Sequence, residues 1–225
     1  MLEDGGLDAL IIENMHDRPY LLGRVGPEVI AAMTAVGAAV GNAITIPFGV
    51  QILAGANSAA LAVAQACGAS FVRVEGFVFS QVADEGLMDR ADAGELLRYR
   101  RQIGANQVAI LADIKKKHSS HAITADVDLA ETARAAEFFG ADGLIVTGTA
   151  TGRATAPEDV RAVRDAVGVP VLVGSGVTPD NLSDYWAYAD AFIVGSYFKR
   201  GGVWSNPPDL RRLKRLTCAA AALRS

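Results

Sequence analysis

Hydrophobic residues are laid out in short continuous runs bounded by Gly, Pro or Asp: Leu7 to Asn14, Phe48 to Leu53, Phe71 to Glu75, Val108 to Ile114, Gly143 to Thr147, Val171 to Gly174 and Ala191 to Gly195. Runs without polar alternation suit parallel strands that are covered on both faces. Between them lie helix-period segments: Pro27 to Gly41, Asn57 to Gly68, Asp92 to Gly104, Asp126 to Gly140, Pro157 to Gly168, Pro179 to Ala189 and Pro207 to Leu223. Several start on Pro and finish just before Gly, which matches the preference for Pro in a first turn and Gly past a last one. The junctions Gly6-Leu7-Asp8, Gly68-Ala69-Ser70, Gly140-Ala141-Asp142 and Tyr188-Ala189-Asp190 hand a helix to every second strand, so the repeating unit is a pair of β-α units. This regular alternation predicts an α/β fold, a TIM (β/α)8 barrel, in a single domain over residues 1–225.

The pattern supplies seven strands and seven helices, one unit fewer than a closed barrel of this class requires. The absent unit is the first strand and most of the first helix, because Leu2 to Gly6 reads as the tail of a helix. The strands near Leu10 and Ile193 are then expected to face each other across a gap with unpaired edges. A truncated product, an alternative start or a partner chain would each account for this, and truncation is the favoured expectation.

Composition narrows the function classes. A net charge of −4 and a pI near 5.4, without a stripe of Lys and Arg, argue against a nucleic-acid polymer as partner. No charged residue falls between Glu28 and Arg73, but Gly41-Asn42, Pro47, Gln51 and Asn57-Ser58 interrupt that stretch. It therefore reads as buried helices and a strand, with no membrane insertion. Cys67 and Cys218 match neither a disulfide framework nor a zinc site. The start has no secretory pattern; the default compartment is cytoplasmic, with a mitochondrial or plastid location if a targeting segment lies upstream of Met1. A homo-oligomer is compatible with this reading.

Barrel sites lie at the C-terminal ends of the strands, and phosphate is commonly held by the loops after the last two. Here those loops carry Gly174, Ser175 and Gly176, and Gly195 and Ser196. Glycines let backbone amides approach an anion, and a helix starting near Pro179 would add its positive end; tight turning alone would also explain them. At the other strand ends stand Glu13 and Asn14, Gln51, Arg73 and Glu75, Asp113 and Lys115, and Thr147 with Gly148. Arg73-x-Glu75 and Asp113-x-Lys115 place opposite charges on one strand face. A buried ion-pair network gives the same pattern. Glu13, Glu75 and Asp113 together suggest either acid/base chemistry or a divalent cation such as Mg2+, with no cofactor otherwise implied. In Lys115-Lys116-Lys117-His118, three readings stand: Lys115 as an anion clamp or Schiff-base amine, His118 as a proton carrier, or a solvated loop. His16 and His121 read as surface residues. The long connection from Gly76 to Ala91, with Phe77 and Phe79, reads as a lid, unless its aromatics plug the barrel. Thr147 to Gly152 adds hydroxyls near the same mouth.

Taken together, Gly-Leu-Asp-Ala-Leu-Ile-Ile-Glu-Asn at 6–14, Gly86 after its acidic pair, Ala-Asp-Ile-Lys-Lys-Lys-His at 112–118, Val-Thr-Gly-Thr-Ala-Thr-Gly at 146–152 and Val-Gly-Ser-Gly-Val-Thr at 173–178 resemble the BtpA family across the whole chain. The resemblance implies a phosphate-binding TIM barrel. Its photosynthetic members imply a role in photosystem I assembly or stability, and another branch implies a nucleosidase. The family's first-strand His-Leu-Pro-Leu-Pro-Gly type motif has no counterpart here; Gln51 and Ala54 stand where the family more often has Asn and Arg.

Overall fold

The computed structural model describes residues 1–148 and 153–224; Thr149, Ala150, Thr151 and Gly152 of the expected hydroxyl-bearing loop lie outside the described residues. Ten strands are numbered in chain order: β1 Leu10–Glu13, β2 Phe48–Gln51, β3 Phe71–Val74, β4 Gln81–Ala83, β5 Gly86–Met88, β6 Ala109–Ile114, β7 Ser119–Ser120, β8 Gly143–Val146, β9 Val171–Val173 and β10 Ala191–Phe192. The helices are α1 Pro27–Ala43, α2 Asn57–Cys67, α3 Ala93–Gln102, α4 Leu129–Phe138, α5 Pro157–Ala166, α6 Leu182–Tyr185 and α7 Leu210–Arg224.

Seven of these strands form one parallel sheet in the order β1-β2-β3-β6-β8-β9-β10. Its two faces explain the unbroken apolar runs. Val50, Val72, Val74, Ile110, Ala112, Ile114, Leu144, Val146, Val171 and Val173 lie on one face, in the same core cluster as Leu61, Leu96 and Val160 of the covering helices. The opposite face fills the barrel interior. There a Cβ on Gly49 would lie 2.2 Å from the Phe71 ring, and one on Gly143 would lie 2.8 Å from Leu111 Cδ2; small residues oppose large ones so that the layers fit. Two residues beyond Ile11, Gly49, Phe71 and Leu111 the same face turns polar, with Glu13, Gln51, Arg73 and Asp113, which sets the level of the mouth.

The uncharged Ala/Gly stretch is a packing solution. A Cβ on Gly37 would meet Cys67 Sγ at 2.7 Å and one on Gly41 would meet the Phe48 ring at 3.1 Å, so α1 lies tightly on α2 and β2. Among the described residues, no helix is long and apolar enough to cross a membrane.

The outer edges of β1 and β10 pair with no strand among the described residues, yet side chains bridge the gap at both ends. At the N-terminal end Thr217 Oγ1 of α7 donates to Gly5 O at 2.8 Å, and Arg224 Nη1 donates to Asp8 Oδ1 at 3.3 Å. At the mouth Arg18 lies 5.0 Å over the Trp204 ring, and the His16 ring lies 5.2 Å from it, tilted by 42°. His16 is therefore a contact across the gap.

Two expectations are corrected. The connection from Gly76 to Ala91, expected as a long loop, carries regular structure: β4 and β5 form an antiparallel hairpin, and β7 pairs with β4. Phe77 is fully buried in the core cluster that the sheet shares with its covering helices. The helix expected from Pro179 to Ala189 shrinks to the single turn α6. Its preceding residue, Asn181, uses its side chain on the turn before it, accepting from Thr178 N at 2.8 Å and donating to Gly176 O at 3.0 Å.

Candidate active site

At the C-terminal edge of the sheet Arg73 holds two carboxylates from two other strands. Its Nε and Nη2 donate to Asp113 Oδ2 and Oδ1 at 2.9 and 3.1 Å, and its Nη1 donates to Glu13 Oε1 at 3.3 Å. The side chains of Arg73 and Asp113 are 7% and 1% exposed, whereas that of Glu13 keeps 21%. Burial alone would lower the Arg73 pKa, but Asp113 and then Glu13 outweigh it and the net shift is upward. The guanidinium is thus fixed as a cation. It also faces the turn after β9, since a Cβ on Gly174 would sit 3.7 Å from Arg73 Nη2.

A second cluster is built on Glu75. Gln51 Nε2 donates to its Oε1 at 3.2 Å and Lys116 Nζ to its Oε2 at 3.1 Å. Burial raises the Glu75 pKa, and Lys116 offsets part of that shift. Glu85, from the β4–β5 turn, brings Oε2 to 3.9 Å from the same ammonium. Beneath the cluster Asn57, the first residue of α2, donates to Glu75 O at 2.7 Å and to Asp92 Oδ2 at 2.9 Å, and accepts from Glu75 N at 3.2 Å.

The lysine run does not continue the strand's alternation. β6 ends at Ile114, and Lys115 adopts φ 42°, a left-handed conformation that is uncommon outside Gly, Asn and Asp. Lys115 consequently turns aside and donates to Thr124 O at 3.3 Å, which corrects the expectation that it shares a face with Asp113. Lys116 and Lys117 take the mouth instead. The Lys117 amide donates to Thr147 Oγ1 at 3.0 Å, and its ammonium has no hydrogen bond or ion pair among the described residues. Burial, then the nearby Arg73, lower its pKa against the opposing pull of Asp113, Glu13 and Glu75. His118 is exposed, with Nδ1 3.6 Å from Asp84 Oδ2. His121, expected at the surface, is partly buried against Lys116 O at 3.0 Å.

The shared-metal reading of Glu13, Glu75 and Asp113 is not supported: Glu13 and Asp113 flank Arg73 while Glu75 faces Lys116. Among the described residues no three His, Cys, Asp or Glu groups are placed to hold an ion. Asn14 accepts from Leu53 N at 2.8 Å, tying the ends of β1 and β2 together.

The glycine turns divide. The Gly174 amide donates to Val146 O at 2.8 Å, so it is not available to a ligand. Gly148 and Gly176 are required by packing, since added Cβ atoms would lie 2.5 Å from Arg153 O and 2.4 Å from Ala154 N. Ser175 is buried and its carbonyl accepts from Thr155 Oγ1 at 3.4 Å. Gly195 has open space around it. The amides of Gly176, Gly195 and Ser196 have no acceptor among the described residues. Because β9 and β10 are adjacent and parallel, with Val173 beside Phe192, both turns leave the same edge of the sheet.

Sequence inspection misses Asn57, Lys116 and Lys117 as site residues. Asn57 had a visible signal: a polar residue at the start of a helix-period segment, inside a stretch without charges.

A one-gap parallel α/β barrel with its charged groups gathered at the C-terminal mouth defines the class. Within it, the chain belongs to the BtpA family, whose model matches residues 1–222. An uncharacterised mitochondrial protein of Caenorhabditis elegans is 46% identical over 93% of this chain and 77% of its own length. The photosystem I biogenesis protein BtpA of Synechocystis is 39% identical over 89% of the chain and 69% of its own. Among solved structures, a thiamine phosphate pyrophosphorylase of Pyrococcus furiosus superposes with a TM-score of 0.61 at 16% identity, covering 97% of this chain and 98% of that one; at this identity the likeness concerns the fold alone.

Proposed function

We propose that the chain is an enzyme acting on a phosphorylated sugar or nucleoside, in the manner of a nucleosidase, lyase or isomerase. The observation that carries this reading is the pair of turns after β9 and β10, whose Gly176, Gly195 and Ser196 amides have no acceptor among the described residues, with open space at Gly195. Backbone amides without a partner at a concave edge suit an anion. The single turn α6 is too short to contribute a helix dipole, so the amides and the mouth cations carry the binding. Glu13 is the most solvated of the three carboxylates and the candidate for proton exchange with a substrate. Arg73, Asp113 and Gln51 hold the geometry. A mitochondrial location, the label borne by the C. elegans relative, belongs to the same proposal.

Thermal melts with a panel of phosphosugars and nucleotides test it. A ligand at a hundredfold excess over its Kd stabilises the native state by about 2.7 kcal/mol, so at least one phosphate compound should raise the melting temperature while its dephosphorylated counterpart does not. A flat panel would refute the reading. The rival is a non-catalytic assembly factor, favoured by the name of the Synechocystis relative; under it Asp113→Asn leaves function intact while surface changes abolish partner capture.

A further inference from the structure

We infer that Lys117 is the reactive amine of this mouth and forms an imine with the carbonyl carbon of its phosphorylated ligand. This deepens the reading above and rests on it. The three consecutive lysines meet three different fates. Lys115 is spent on Thr124 O, Lys116 on Glu75, and Lys117 alone of the run has an ammonium without a hydrogen bond or ion pair among the described residues.

Its position is fixed by the backbone. The left-handed turn at Lys115 redirects the chain, and the bond from Lys117 N to Thr147 Oγ1 pins the residue to the end of β8. The side chain starts between β6 and β8 and feels Arg73, Asp113, Glu13 and Glu75 as its charged surroundings. Each of those carboxylates is already matched: Asp113 and Glu13 to Arg73, Glu75 to Lys116. A protonated Lys117 is therefore a surplus, partly desolvated cation, and burial beside Arg73 lowers its pKa. A neutral lysine amine beside another cation is the arrangement that activates amine nucleophiles. Each unit by which such a pKa falls below the ordinary lysine value raises the neutral fraction near neutrality about tenfold.

The step balances within the ligand and solvent. The Nζ lone pair adds to the carbonyl carbon, the carbonyl π pair moves to oxygen, and a proton passes from nitrogen to that oxygen to give a carbinolamine. Loss of hydroxide as water, with one proton taken up, leaves a protonated C=N bond. The sum is amine plus carbonyl plus a proton to iminium plus water, with no oxidant or reductant.

Pyridoxal 5′-phosphate, an aldehyde that carries a phosphate, is the probe, with pyridoxal as the phosphate-free control. The full chain is incubated with each near neutral pH, reduced with borohydride to convert the C=N bond to a stable amine, and mapped by peptide mass spectrometry over its five lysines. The expected result is a phosphopyridoxyl adduct on Lys117 at least about tenfold above Lys199 and Lys214, slowed by inorganic phosphate and lost in Lys117→Met. Lys115→Ala should keep the adduct. If pyridoxal labels Lys117 as fast as its phosphate and inorganic phosphate has no effect, the amine assignment stands and the phosphate reading fails. If pyridoxal phosphate raises the melting temperature yet leaves no enriched adduct on Lys117, the amine assignment is overturned, the phosphate reading stands, and Lys117 is an anion clamp. Should Lys117→Met lose its fold, the pH dependence of labelling at Lys117 in the parent chain decides: a plateau reached below the ordinary lysine range supports the inference, and a plateau within that range overturns it.

Discussion

Replacing Arg73 with methionine keeps most of the aliphatic volume and deletes the charge that Asp113 and Glu13 share. Asp113 would then be a carboxylate with a 1% exposed side chain and no counter-ion, while Glu13, at 21%, recovers some solvent. Breaking a buried pair on one side costs about 3–5 kcal/mol, because the remaining charge stays buried and uncompensated. The cost should come almost wholly from Asp113. For a chain of this size each kcal/mol is worth about 2 °C in melting temperature, so Arg73→Met should melt roughly 6–10 °C below the parent. Urea unfolding followed by circular dichroism and by the fluorescence of Trp186 and Trp204 gives the free-energy difference. A further measurement identifies its origin. Adding Asp113→Asn should return part of the loss, since a neutral side chain needs no cation. A loss below about 1 kcal/mol would place the pair in the class of solvated surface bridges, and a double variant no better than the single would refute the buried-charge account.

The turns after β9 and β10 separate structural from binding glycines. Gly176→Ala forces a Cβ to 2.4 Å from the Ala154 backbone at φ 67° and should cost about 1–3 kcal/mol by overpacking and strain, read by chemical denaturation. Gly195→Ala enters open space, so its stability should stay within about 0.5 kcal/mol of the parent while any phosphate-induced thermal shift falls; unchanged shifts would remove Gly195 from the anion site. Lys117 has a folded-state pKa below the ordinary lysine value of 10.5. Between the two values the unfolded chain binds more protons, so parent stability should climb with pH toward 10.5 relative to Lys117→Met. A pH-independent difference would mean that burial does not penalise the charged amine.

The sheet was legible because parallel strands covered on both faces need apolar residues at consecutive positions, as in Val171–Val173 and Phe71–Val74. The polar rim was legible for the same geometric reason: Arg73 and Glu75, two apart, share a face. Three features escaped for different reasons. The hairpin of β4 and β5 depends on pairing with Ser119–Ser120, a non-local contact between strands too short to stand out. The helix after Pro179 was overextended because the Asn181 side chain, which would serve a cap, is committed to the preceding turn. Lys116 and Lys117 were passed over in favour of Lys115 because strand alternation was carried one residue too far. A single left-handed residue ended it, and nothing in three identical side chains announces which one bends.

The wall between β1 and β10 is fastened by side chains where a closed barrel has a ladder of backbone hydrogen bonds. Such fasteners release one at a time. Thr217 to Gly5 and Arg224 to Asp8 hold one end, and His16 and Arg18 on Trp204 hold the other. The ring therefore has a seam, and breathing of the molecule concentrates there: amide protons of β1 should exchange ahead of those in β3, β6 and β8, whose backbones are paired on both sides. Glu13 rides on the seam while Arg73 and Asp113 belong to the rigid interior, so parting of the seam would loosen one grip of the guanidinium and leave the other intact.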